Sequence, residues 1–187
     1  VEGGELVMYD VTLENSRPWG AAVKMVGGKA IFRNVTINSV YGGGVEVGGT
    51  EDGSSVATAD FYECNFTQTD EYLYNSNLIS VCYGGTANIH SGNYSGVYGL
   101  YVYNSGGTIN MYGGKVIGQK ESVHIDAKAG CVSSVTVEAG KLTGSVKLTL
   151  EAQGAVTFTA KKGVSLNGKA FSADFTTEEA GTVTEAV

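Results

Sequence analysis

Apolar and polar side chains alternate at period two along this chain, and the alternation restarts in one register over and over. The recurring phrase reads ELVMYDVTL at 5 to 13, KAIFRNVTI at 29 to 37, TADFYECNF at 58 to 66, TANIHSGNY at 86 to 94, TINMYGGKV at 108 to 116 and SVTVEAGKL at 134 to 142. Counting back from each closing residue, an apolar or small side chain stands at minus seven, minus five and minus two. Examples are Ala30, Phe32, Val35 and Ile37, or Ala59, Phe61, Cys64 and Phe66. The closing positions 13, 37, 66, 94, 116 and 142 lie 24, 29, 28, 22 and 26 residues apart. Period-two alternation predicts strands, and a unit that recurs at this length predicts a solenoid in which each coil buries one face against its neighbours. A weaker seventh unit is expected through Val156, Phe158 and Val164.

A second strand is expected upstream of each phrase, at Val23 and Met25, Val45 and Val47, Leu78 to Cys82, Leu100 and Val102, Val123 and Ile125, and Val146, Leu148 and Leu150. Between the two strands lie Gly27-Gly28, Gly48-Gly49, Gly84-Gly85 and Gly106-Gly107, where a sharp corner can use positive φ without a Cβ clash. The 28 glycines also argue against helix. The prediction is an all-β, single-domain parallel β-helix of about seven coils over residues 1–171. A polar, acidic segment, 172–187, follows as a cap or the start of a further domain.

Coils of 22 to 29 residues with three short strands resemble the right-handed parallel β-helix of the pectin-lyase-like superfamily over essentially the whole chain. The resemblance implies right-handed coiling and points to the outward face of one strand ladder as the place for chemistry. By alternation, the outward residues of the upstream strand include Lys24, Glu46, Tyr101, Tyr103, His124, Asp126 and Lys147. The clustered aspartates and base arginine of pectate lyases are missing from that ladder, since the two arginines, Arg17 and Arg33, fall elsewhere. The Asn-Thr-Asp, Asp-Asp, Gly-His-Gly and Arg-Ile-Lys segments of polygalacturonase-like members do not occur either. His124 and Asp126 share one strand face but read as an exposed, solvated pair, and His90 reads as a surface residue without a metal-ligand partner at i+2 or i+4. No catalytic residue, metal ligand or cofactor is assigned.

A net charge of −7 removes the basic surface that phosphate backbones need, so nucleic acid is not an expected partner. No apolar run reaches the length of a membrane span. Cys64 and Cys82 fall at strand positions that suit small core hydrophobes, and no CxxC pair suggests redox or metal chemistry. Asn34-Val-Thr36, Asn65-Phe-Thr67 and Asn93-Tyr-Ser95 match the glycosylation acceptor pattern. They lie inside the phrase, where a turn asparagine and a strand threonine have structural reasons.

Eleven tyrosines against six phenylalanines favour rings with a polar tip. Trp19, Tyr41, Tyr72, Tyr74 and Tyr98 fall in loops expected to stack on one edge, with Tyr101 and Tyr103 adjoining, and these seven are the candidate ligand-binding residues. The function expected is a non-catalytic, adhesin-like extracellular module of a larger bacterial surface or secreted protein, which binds a polysaccharide or a host or cell-surface protein through that aromatic edge. The alternatives are a divergent polysaccharide lyase or glycoside hydrolase of the β-helix class, and a structural stalk. The start at Val1, close to a core strand, reads as a mature or excised piece of a longer polypeptide.

Overall fold

The computed structural model describes residues 4–16, 20–69 and 77–187, and among them every regular element is a strand. The first turn comprises β1 (Glu5–Tyr9), β2 (Thr12–Asn15) and β3 (Ala21–Val26), and the second β4 (Gly28–Arg33), β5 (Thr36–Ser39) and β6 (Gly43–Gly48). The third contains β7 (Ala57–Tyr62), β8 (Cys64–Gln68) and β9 (Asn77–Val81). In the next three turns the second and third strands fuse across a bend. These turns are β10 (Thr86–Ile89) with β11 (Gly92–Val102), β12 (Gly107–Met111) with β13 (Lys115–Ala127), and β14 (Val132–Val137) with β15 (Lys141–Leu150). The last rung holds β16 (Ala155–Ala160), β17 (Ser165–Leu166) and β18 (Lys169–Ala170), followed by β19 (Phe175–Thr177) and β20 (Gly181–Val183).

Equivalent strands of successive turns pair in parallel, in the order β1-β4-β7-β10-β12-β14-β16 on the first ladder. The chain is thus a parallel β-helix, with about six turns rather than seven. The difference arises at the last unit. Its register falls two residues later than the sequence suggests, because Val135 pairs with Phe158 and Leu142 with Leu166, so the seventh rung begins but does not complete a coil. Beyond it the chain reverses: β18 pairs antiparallel with β17, β19 with β16 and β20 with β15. Phe171 and Ala186 are buried beneath this reversal.

The repeated phrase spans two strands and the corner between them. Its minus-seven and minus-five residues form inward ladders, among them Ala30, Ala59, Ala87, Ile109 and Val135, and Phe32, Phe61, Ile89, Met111 and Val137, all buried. In the first turn Leu6, Met8 and Leu13 are only partly covered, since the first rung has a neighbour on one side. Leu150, expected inward, is exposed at the end of β15.

The corner inside the phrase is built in two ways. In the first three turns Asp10, Asn34 and Glu63 take positive φ of 52°, 50° and 54°, one residue before Val11, Val35 and Cys64. In the next three, Gly92, Gly114 and Gly140 take φ of 125°, 97° and 121° at the minus-two position itself, where the earlier turns place a side chain. The double glycines also divide. Gly27, Gly28, Gly84, Gly106 and Gly107 do have positive φ, whereas Gly85, Gly48 and Gly49 do not. Those three are needed for close approach, as a Cβ on Gly49 would stand 2.4 Å from the Tyr83 carbonyl oxygen.

Candidate functional site

The third ladder, running β3-β6-β9 and then the C-terminal halves of β11, β13 and β15, carries a connected set of charged and aromatic side chains. Its register stacks Lys24, Glu46, Ser80, Tyr101, His124 and Lys147 in one outward row. Two residues further along each strand the same register gives Val26, Gly48, Cys82, Tyr103, Asp126 and Thr149. Alternation had identified most of this face.

His124 is the centre of a cluster and is not the solvated half of an exposed pair. Its Nδ1 lies 2.8 Å from Glu121 Oε2 and its Nε2 2.8 Å from Asp126 Oδ1, with Thr149 Oγ1 3.3 Å from Nε2. The Tyr101 hydroxyl donates a hydrogen bond to Asp126 Oδ2, and Lys147 Nζ is 3.5 Å from Glu121 Oε1. Glu121 Oε2 and Asp126 Oδ1 are buried and meet no hydrogen bond of good geometry, and the histidine nitrogen 2.8 Å from each is what offsets their charge. The expectation of an exposed pair fails because Tyr101 and Thr149, from the turns on either side, flank the imidazole, whose side chain is 18% exposed.

Glu121 escaped the sequence reading for a specific reason. Val123, Ile125 and Ala127 point inward, and strict alternation would send residue 121 inward too. The ladder between β13 and β15 shifts register on both sides of Glu121, so Ser122 is buried and Glu121 emerges beside His124. The bend follows Gly118, where a Cβ would lie within 1.8 Å of the Glu121 carbonyl oxygen. That glycine, followed by the polar run Gln119, Lys120 and Glu121, was the available signal.

The protonation states follow from this packing. Burial opposes the charge on His124, but Asp126 and Glu121 outweigh it and raise its pKa to about 9. Burial likewise works against ionisation of both carboxyl groups, yet His124, with Lys147 for Glu121 and Tyr101 for Asp126, holds each below its ordinary value. Burial and then the bond to Asp126 push the Tyr101 phenol well above its ordinary range. At neutral pH the cluster is Glu⁻, His⁺ and Asp⁻ beside Lys⁺, with its charges nearly offset.

The candidate aromatics separate. Tyr98 and Tyr101 lie on β11, Tyr103 just past its end, and the rings of Tyr101 and Tyr103 are 4.3 Å apart by centroid. Tyr98 is not in a loop, because β11 continues through residues 95–99, and its ring faces Lys120 at 5.7 Å. Tyr41 is exposed in the three-residue turn between β5 and β6, at the preceding corner. Trp19, Tyr72 and Tyr74 lie outside the described residues.

On the first ladder His90 is a half-buried surface residue: its Nε2 is 3.0 Å from Asp60 Oδ1, and its ring stacks between Tyr62 and Tyr112 at 4.2 and 5.1 Å. Strand stacking brings these residues together from turns 22 to 28 residues apart, so no local spacing announces them. Both faces of the imidazole are covered in this stack, while Tyr112 at its end is exposed. Among the described residues no group of three or more His, Cys, Asp or Glu is arranged to hold a metal ion. Comparison with protein-family models, curated proteins and solved structures finds no match for the chain.

Proposed function

We propose that this chain is a non-catalytic β-helix module that binds a glycan on the outward face of its third ladder. The observation that supports this best is the juxtaposition of Tyr98, Tyr101 and Tyr103 with the charge-balanced Glu121, His124, Asp126 and Lys147. Tyrosine rings offer apolar contact to sugar faces, and fixed carboxylate and ammonium groups orient hydroxyls. Rows spaced about 4.8 Å apart extend this surface over several turns along the solenoid axis, which suits a linear polymer.

The non-catalytic part rests on proton placement. General acid or base work at neutral pH is most effective from a group that titrates near it. Here the imidazole keeps its proton to about 9, Asp126 and Glu121 stay ionised, and the Tyr101 proton is held tightly. A relationship to the pectin-lyase-like superfamily and an adhesin-like, extracellular setting belong to the same proposal. Coil length, three-strand rungs and acidic composition support them.

The test is calorimetric titration with neutral and acidic oligosaccharides, run beside assays for new reducing ends and for unsaturated products. Binding lost in Tyr101→Ala and Tyr103→Ala, without turnover, is the expected result. Turnover abolished by Glu121→Gln or Asp126→Asn overturns the non-catalytic reading in favour of a divergent lyase or hydrolase. Neither binding nor turnover leaves the stalk.

A further inference from the structure

Upstream of the tyrosines the same face is hollow. Two adjoining clefts of about 280 and 230 Å³ share Glu46, Cys82 and Tyr83, the first reaching Lys24 and the second Tyr103. Gly48 and Cys82 both line the first cleft, and a Cβ on Gly48 would stand 2.7 Å from Cys82 Sγ, so the cysteine occupies the space a side chain at 48 would need. Lys24 Nζ is 2.8 Å from Glu46 Oε1 over this floor. The ammonium-bearing side chain is 64% exposed against 16% for the carboxylate-bearing one.

Tyr83 is the unusual part. Six non-glycine residues among those described have positive φ, and five of them are Asp, Asn, Glu or Gln. Tyr83, at φ 48°, is the aromatic exception, in a turn whose next residue, Gly84, has φ 76°. Asparagine is the ordinary non-glycine occupant of such a position, and a bulky ring is strained there. Strain of this kind is retained where the side chain has another use. The Tyr83 ring stands partly exposed at the lip of both clefts.

We propose that the Glu46 cleft is a ring-sized subsite for a sugar, walled by Tyr83 and Tyr103, in which Lys24 donates to and Glu46 accepts from adjacent hydroxyls. It rests on the reading of the third ladder as a glycan-binding face and adds a subsite on its N-terminal side. A vicinal diol matches the pair because one oxygen takes the ammonium hydrogen while the neighbouring O–H is given to the carboxylate.

Hexasaccharides of β-1,4-linked xylose, β-1,4-linked glucose and α-1,4-linked galacturonate serve as probes, titrated into wild type, Tyr83→Asn, Glu46→Gln and Tyr101→Ala, with urea midpoints for each. Tyr83→Asn should be at least as stable as wild type while losing affinity, and Glu46→Gln should weaken binding about tenfold, the loss of one charged hydrogen bond. A lower midpoint for Tyr83→Asn assigns the ring to the fold and overturns its role as a wall. Wild-type affinity in both cleft variants, with binding lost in Tyr101→Ala, removes the subsite but keeps the binding face. No binding of any hexasaccharide by wild type defeats both readings.

Discussion

Phe32 and Phe61 face each other on adjacent rungs, their ring centroids 4.9 Å apart and their planes within 8°. Phe66 meets Phe61 edge-on at 5.9 Å, and Tyr94 meets Phe66 at 5.2 Å, so four fully buried rings connect three successive turns. A solenoid has no single centre, and contacts of this kind between turns hold it together.

Truncating Phe61 should therefore cost about 3 to 5 kcal/mol, as for other buried rings. Tyr62, its outward neighbour, lies under the Arg33 guanidinium and stacks on His90, and Tyr62→Ala should cost about 1 kcal/mol. Urea midpoints of the two variants check this, and equal values would contradict the inward register.

The glycine corners make a sharper case. A Cβ on Gly92 would lie 2.2 Å from the Cys64 carbonyl oxygen at φ 125°, with backbone on the contacting side. Gly53, at φ 72°, meets nothing within 4 Å. Gly53→Ala should cost about 1 kcal/mol from conformation alone, while Gly92→Ala should prevent or severely weaken folding. Thermal melts of both would expose an error in the corner assignment if the order were reversed.

The inward ladders were legible because their side chains obey period two over six repeats, from Leu6 to Val135. Corner chemistry was only half legible: the minus-two position holds Cys64 in one turn and Gly92 in the next, and sequence alone does not say that the positive φ moves from Glu63 to Gly92. Alternation also found His124, Asp126, Tyr101 and Tyr103 on one face. It missed Glu121 because a bulge reverses parity, and it underestimated burial at His124 because the enclosing groups come from other turns. The stack around His90 was invisible for the same reason.

Removing the imidazole should now matter. His124→Ala leaves Glu121 and Asp126 without the cation between them, and unpaired buried charge is among the costlier defects. With the side chains 16 to 19% exposed, a loss of about 2 to 4 kcal/mol is expected, against less than about 1 for Thr149→Ala. Chemical denaturation at pH 7 checks it. An unchanged midpoint for His124→Ala would return the cluster to a solvated surface.

The same cluster sets a pH window for stability. His124 is raised from an ordinary 6.5 to about 9, so its contribution is complete below about pH 6.5 and is lost as pH climbs through 9. Glu121 and Asp126 are lowered from 4.5 and 3.8, so theirs is present above those values and is lost as pH falls below them. These are two views of one set of interactions and must not be added. The alkaline limb is worth on the order of 3 kcal/mol at most, from the size of the histidine shift. Urea midpoints measured from pH 5 to 10 should therefore be flat at first and then decline through about 9. His124→Gln, which has no proton to lose, should start lower and lack that limb. Tyrosine and lysine titration acts on both proteins at higher pH, so the difference between the curves isolates the histidine, and parallel alkaline limbs would show that His124 does not hold its proton in the folded state.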